Sequence, residues 1–342
     1  MPELPAPFSA RTTASTAFLH ETFSRMVLRI EHLNEDAAAA CEHAGRIATG
    51  GKHLRATLVH VGADRPENTP LNKPDIAVAA AFDLLHAAFL VLDDVIDADE
   101  TRRGEPTIHA VARALSGDAH YGNSVATLVG TAALNEAIRI VLHCGASAAT
   151  TLKVLQRFVD ATADSMLGEF MDIHHSLPHV HATTHLINLA SRLKTSTYSF
   201  EAPLACGALL ADAPQRIPQF TFLGRKLGSA YQLADDLQSL FGNTETTGKD
   251  LAGDIIHNRQ TPLISQARNT HLWDKIKQAI DLKDIELVRD LMKESGAVHR
   301  TQQEALRNTQ AAAQITQSLP LSNEAKHVLH QVGKTIEGSL NV

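Results

Sequence analysis

Aromatic side chains are scarce in this sequence, 4% of 342 residues. Val, Ile and Tyr, which favour strands, are outnumbered by Ala and Leu. That balance excludes a sheet-rich core and predicts an all-α protein. Cysteine is also scarce. Cys41, Cys144 and Cys206 are widely spaced and odd in number, which excludes a disulfide framework or a zinc site and reads as a reduced, cytoplasmic chain. Basic charge is in deficit, with 31 Lys and Arg against 38 Asp and Glu and a formal net charge of -7. A nucleic-acid surface needs the opposite excess, so any phosphate chemistry must rest on local basic clusters. The first fifteen residues carry Pro2, Pro5 and Pro7 but no apolar core of a signal peptide. No later stretch offers about 18 consecutive apolar residues, so no membrane span is expected.

What is present centres on Leu90-Val91-Leu92-Asp93-Asp94-Val95-Ile96-Asp97, followed by Thr101-Arg102-Arg103-Gly104. The segment from Asp75 to about Ala98 is almost continuously apolar, interrupted chiefly by Asp83 and His86, and reads as a helix buried all round. Asp93 and Asp97 are four apart and share one face of it. Two such carboxylates repel each other unless a cation sits between them, and hard oxygen ligands suit Mg²⁺. Before this helix, Thr16 to about Thr49 reads as one amphipathic helix stopped by Gly50-Gly51. Lys52-His53-Leu54-Arg55 opens a short helix to about Val61, and residues 63–74 form a loop. After it, helices are expected at about 124–144, 147–174, 185–210 and 218–241. A polar loop follows at 242–253, then shorter amphipathic helices. The expected architecture is one domain over residues 16–342, a bundle of long, mostly antiparallel helices around a deep cavity, with residues 1–15 a flexible leader.

A second apolar helix also ends in acids: Tyr231-Gln232-Leu233-Ala234-Asp235-Asp236. Taken alone, such a pair reads as solvated surface. Asp93, Asp94 and Asp97 differ because they end a helix expected to be buried, where an uncompensated charge costs several kcal/mol. Isolated basic residues suited to phosphate oxygens are Lys52, Arg55, Arg102, Arg103, Lys194, Lys249 and Arg259.

Together these stretches resemble the trans-isoprenyl diphosphate synthases of the polyprenyl synthetase family. Gly50-Gly51-Lys52-His53-Leu54-Arg55 resembles the family's GGKxxR. Asp93 to Asp97 with Arg102-Arg103-Gly104-Glu105-Pro106-Thr107 resembles its first aspartate-rich motif and trailing RRGxPT. Gly168-Glu169-Phe170-Met171-Asp172 is similar to GQxxD, Lys194-Thr195 to the KT pair, Tyr231 to Asp236 to the second aspartate-rich helix, and Gly248-Lys249 with Asp254 to the GK…D loop. Ser239 stands where many members carry a third aspartate, Arg259 replaces a lysine, Ala56 a proline and Thr131 an aspartate.

The resemblance implies an isoprenoid synthase fold and a head-to-tail condensation of isopentenyl diphosphate with an allylic diphosphate, assisted by three Mg²⁺ ions. By the same likeness Asp93, Asp97 and Asp235 bind metal, with Asp94 and Asp236 less directly placed. Arg102, Lys194 and Lys249 hold the allylic diphosphate, Lys52, Arg55, His86 and Arg103 hold isopentenyl diphosphate, and Arg259 is a further substrate-binding residue. Thr195 and Gln232 stabilise the allylic cation. Phe89 and Ala88, four and five residues before Asp93, set the product length. A single aromatic there suggests geranylgeranyl diphosphate, with farnesyl diphosphate next. A homodimer is implied as well. A class I terpene cyclase shares the first acidic motif but has no use for Gly50-Gly51-Lys52 or Arg103. A non-catalytic regulatory subunit would usually have lost that motif, which here is intact.

Overall fold

The computed structural model of the chain describes residues 6–66, 69–242, 255 and 258–342. Its helices run α1 (Ala6–Ile30), α2 (Glu35–Thr49), α3 (Leu54–Ala63), α4 (Lys73–Ile96), α5 (Ile108–Ser116), α6 (Ala119–Leu142), α7 (Ala148–His175) and α8 (Thr184–Ser191). A π-helix (Arg192–Glu201) leads into α9 (Ala202–Leu210), and after a short 3₁₀ turn come α10 (Ile217–Phe241), α11 (Pro262–Arg268), α12 (Trp273–Asp281), α13 (Ile285–Glu294), α14 (Ala297–Ser318) and α15 (Asn323–Gly338). Among the described residues the strand structure is one antiparallel ladder, β1 (Thr101–Arg102) with β2 (Glu105–Pro106). The all-α expectation holds.

The chain divides into two compact units. The first comprises residues 3–160 and 202–220 and is built on α4. Asn72 caps that helix by accepting from the Asp75 amide, and Pro74 occupies its first turn, where a missing N–H costs nothing. Val78, Ala79, Ala80, Ala81, Phe82, Leu84 and Leu85 are wholly buried. Helices α1, α2, α3, α5, α6 and α9 all pack against α4, and Phe82 meets Phe158 of α7 with ring centroids 4.8 Å apart. By length and composition α4 and α6 could each cross a membrane, which the sequence reading did not anticipate. Burial accounts for the apolar character of α4, whose window is 78% buried inside the protein, against 39% for α6.

The second unit comprises residues 161–201 and 221–342. Here α11 packs on α14 and α8, and α14 on α15. Gly168 of α7 faces the π-helix backbone at Lys194, and Gly224 and Gly228 of α10 face it at Glu201 and Ser196. A Cβ at any of the three would collide. Helices therefore press directly onto the π-helix, the kind of irregular turn often found where function is carried.

Several expectations change at the level of elements. The stretch before residue 16 is not a leader throughout, since α1 begins at Ala6 and buries Phe8, Arg11, Thr12 and Ser15. Arg11 explains the order, donating to the carbonyls of Arg65 and Pro66, each at 2.9 Å. The single helix expected over 16–49 is two helices, because Asn34 caps α2 by accepting from the Ala37 amide. The helix expected over 185–210 is broken by the π-helix. Neither the β1–β2 hairpin nor α5 was foreseen.

His60 on α3 is 2% exposed, with Nε2 3.0 Å from the hydroxyl of Ser15. Burial, reinforced by the charge of Arg11, lowers its pKa from 6.5 to about 3. Between those values the unfolded chain takes up a proton that the folded protein refuses. Stability is therefore full above the unfolded value and is lost as pH falls from 6.5 towards about 3. The slope from this group is about 1.4 kcal/mol per pH unit. Urea unfolding of wild type and His60→Gln at about pH 7 and about pH 5 is expected to show the larger loss in wild type; parallel losses would exclude His60 as the source.

Candidate active site

In the first unit the end of α4 separates its acids by role. Asp93 and Asp97 are half-buried, and the Asp97 amide closes the last turn on the Asp93 carbonyl at 2.8 Å. Asp94 is turned in at 2% exposure, and Arg102 donates to it through Nε at 2.6 Å and also through a terminal nitrogen. Burial pushes the Asp94 carboxyl above the usual carboxylate range, with Arg102 pulling the other way. Arg102 is raised despite its own burial, because Asp94 bonds it and Asp93 and Asp99 add their charge.

Arg102 is held there by the hairpin. Arg102 pairs with Glu105 across the ladder, leaving Arg103 and Gly104 as a two-residue loop with φ of 54° and 80°. Positive φ at both positions is what a type I′ turn requires. Arg103 at the tip is exposed, and its guanidinium lies over Gly50-Gly51. A Cβ on Gly51, whose φ is +96°, would stand 3.0 Å from the guanidinium, so glycine there serves both the backbone and the arginine.

Lys52 is exposed and Arg55, in the first turn of α3, is buried at 9%. This basic loop is tied to α4 by Asp83. One oxygen of Asp83 lies 2.7 Å from His53 Nδ1, and the other accepts from the Ala56 amide at 3.2 Å. The Asp83 hydrogen bond raises the His53 pKa against the opposing effect of burial. Asp83 was passed over as an interruption of an apolar run; a lone carboxylate in a buried helix is itself the signal, because it must have partners.

On α4, His86, Phe89, Asp93 and Asp97 follow one another at three- and four-residue spacing and form one stripe. His86 is half-buried on it, and Phe89 is 8% exposed. Ala88 is fully buried, on the side where its carbonyl and Leu92 meet Gly130 of α6.

In the second unit a cluster of opposite charges forms on α7, the π-helix and the segment before α11. Lys194 Nζ lies 2.6 Å from Glu169 and 3.0 Å from Asp172. Arg259 reaches the same two carboxylates at 3.8 Å and 3.4 Å. Glu169 and Asp172, three apart on α7, thus hold both cations together. Thr195 donates to Gln232 Oε1 at 2.6 Å, and Gln232 Nε2 donates to Asp236 at 2.9 Å. The Thr195 hydroxyl thus commits its proton, so its oxygen has only lone pairs to offer a positive centre. Asp236 is 2% exposed and also accepts from the Leu263 amide at 3.3 Å, whereas Asp235 beside it is exposed. Ser239 lines a small cavity with Asp236, Ile255, Thr261 and Leu263. Lys249, with Gly248 and Asp254, lies outside the described residues.

Among the described residues no three His, Cys, Asp or Glu side chains converge as a complete metal cage. The donors nevertheless fit Mg²⁺, which is commonly held by one or two carboxylates plus water and substrate phosphate oxygens. Asp93 and Asp97 on one stripe, and the exposed Asp235, are acids of that kind.

Residues 38–295 match the family model described as polyprenyl synthetase. The chain is 29% identical to a geranylgeranyl diphosphate synthase of Mycobacterium tuberculosis, over 77% of this chain and 74% of that one. It is 27% identical to an all-trans-nonaprenyl-diphosphate synthase of Rhodobacter capsulatus, over 93% and 91%. Its fold matches that of a Corynebacterium glutamicum geranylgeranyl pyrophosphate synthase complexed with isoprenyl diphosphate and magnesium, with a TM-score of 0.87 and 24% identity over 98% of this chain and 99% of that one.

The separation of Asp93 from Asp94 is open to test. Asp94→Ala strands a buried guanidinium and is expected to cost about 3 kcal/mol or more. Asp93→Ala, at a half-buried position, is expected to cost less than about 1 kcal/mol. Chemical denaturation of both variants measures this; equal costs would refute the division of roles.

Proposed function

Since the chain belongs to the polyprenyl synthetase family, we propose that it is a trans-prenyltransferase that condenses isopentenyl diphosphate with an allylic diphosphate and releases diphosphate. The observation that carries this reading is that the acids of the first motif and the basic residues from Lys52 to Arg259 stand in the family's order within the matched residues 38–295, the acidic departures being Ser239 and Thr131.

Each step has residues suited to it. Asp93, Asp97 and Asp235 are assigned to three Mg²⁺ ions, with Asp94 and Asp236 as their buried anchors. Bound magnesium neutralises the diphosphate and makes it a better leaving group. Lys194 and Arg259, already gathered by Glu169 and Asp172, hold the allylic diphosphate as negative charge grows on it, with Lys249 and Arg102 assigned to the same group. The allylic carbon–oxygen bond breaks and its electron pair leaves with diphosphate. Thr195 and Gln232 offer oxygen dipoles to the cation that remains. Lys52, Arg55, His86 and Arg103 hold isopentenyl diphosphate, whose double bond attacks that cation. The departed diphosphate takes the proton lost in the new double bond, so no side-chain base is needed.

The product assigned is geranylgeranyl diphosphate, with farnesyl diphosphate second. Phe89 supports this as a bulky, buried side chain one turn before Asp93 on the same stripe, about 6 Å along the axis. A homodimer is proposed too. Its support is the exposure of large apolar side chains on α6 and at the start of α7, Leu128 and Leu152 among them.

The purified protein with Mg²⁺, isopentenyl diphosphate and each short allylic diphosphate is expected to release diphosphate and form a longer prenyl chain. Release without isopentenyl diphosphate would identify a cyclase instead, and no turnover with any allylic substrate a regulatory subunit. Asp93→Ala is expected to lower kcat by about a hundredfold or more, in line with loss of one group that stabilises developing charge. Phe89→Ala is expected to lengthen the product on chromatography; unchanged length would remove Phe89 as the floor.

A further inference from the structure

Helix α3 carries Arg55 and begins two residues after Lys52, yet among the described residues it has no side-chain cap of its own. The residue in the cap position is His53, held at φ 48°, a left-handed conformation that costs a non-glycine residue free energy unless its surroundings impose it. The group that performs the cap comes from another helix. Asp83 of α4 accepts from the Ala56 amide, the third residue of α3, as an N-cap side chain would. Its second oxygen takes the His53 ring at 2.7 Å. One carboxylate, 7% exposed, thereby fixes both the loop before α3 and the first turn after it. It does so from a point ten residues before Asp93, about 15 Å along the same rigid helix.

We propose that Asp83 is a positioning residue for isopentenyl diphosphate, setting where Lys52 and Arg55 stand relative to the acidic end of α4 by holding the 50–56 segment through His53 and the Ala56 amide. This rests on the proposed function. Asp83 spends both oxygens inside the protein and acts only through the segment it holds. Arg103, laid over Gly50-Gly51, meets the same segment. The acids of α4 and the charge cluster of the second unit are held by different contacts, so loss of Asp83 bears on one substrate and not on the other.

The test compares wild type, Asp83→Asn, His53→Gln and the double variant, measuring kcat, KM for each substrate and Tm. Asp83→Asn keeps the shape but loses the charge. Its KM for isopentenyl diphosphate is expected to rise about tenfold, the scale of one hydrogen bond to a charged group. KM for the allylic diphosphate and kcat are expected to stay within about twofold. His53→Gln should shift the same KM in the same direction, and the double variant should be no worse than Asp83→Asn because the two act through one contact. Should Asp83→Asn fail to fold, His53→Gln, at a side chain that is 16% exposed, decides the matter by the same split. A fall in Tm with both KM values moved equally, or with neither moved, would overturn the role of Asp83 and leave the proposed function standing. Absence of condensation by wild type would overturn both.

Discussion

A carboxylate at the buried end of an apolar helix has to be met by donors, and in this protein the cation Arg102 meets Asp94. Removing either partner would leave a charge in a place with little water to solvate it, at a cost of several kcal/mol. Much else in the first unit depends on that pair. It pins the β1–β2 hairpin against α4, and the hairpin in turn sends Arg103 across Gly50-Gly51. It also separates the acids of the motif, since the side chain that turns inward to Arg102 is not on the stripe of Asp93 and Asp97.

The second acidic helix holds its inward acid through hydrogen bonds. Asp236 is as buried as Asp94, but its oxygens are met by the Gln232 amide and the Leu263 backbone N–H. Hydrogen bonds of this kind offset the cost of burying a carboxylate. In each pair the second acid is an anchor and the first, Asp93 or Asp235, is left to the solvent side. The Asp236 anchor also orders the Thr195–Gln232 contact, so one buried acid supports the two oxygens assigned to the cation.

The cations proposed to hold a diphosphate present the reverse difficulty, because they must be kept close before the anion arrives. Glu169 and Asp172 do this for Lys194 and Arg259. The arrangement assembles positive charge in advance, so little reorganisation remains when negative charge develops on a leaving group. Asp83 plays a related part for the basic loop at Lys52, holding backbone and a histidine rather than the cations themselves.

The helical class, the central buried helix and the two acidic ends were legible in the sequence, because apolar periodicity and a charge at the end of an apolar run are local signals. So was the stripe that joins Phe89, Asp93 and Asp97, which follows from helix geometry alone. The split within each acidic pair was not, since Asp94 and Asp236 are told from their neighbours by burial and by partners such as Arg102 and Leu263, which the fold brings to them. The same holds for Asp83, whose partners lie 27 and 30 residues away. The π-helix at Lys194 and the Asn34 break between α1 and α2 were missed because periodicity is nearly blind to one extra residue per turn and to a single cap. Composition and spacing determined which chemistry this chain can hold, whereas the choice of which acid faces solvent and which is locked inside belonged to tertiary packing, because burial and hydrogen-bond partners are properties of neighbours distant in sequence.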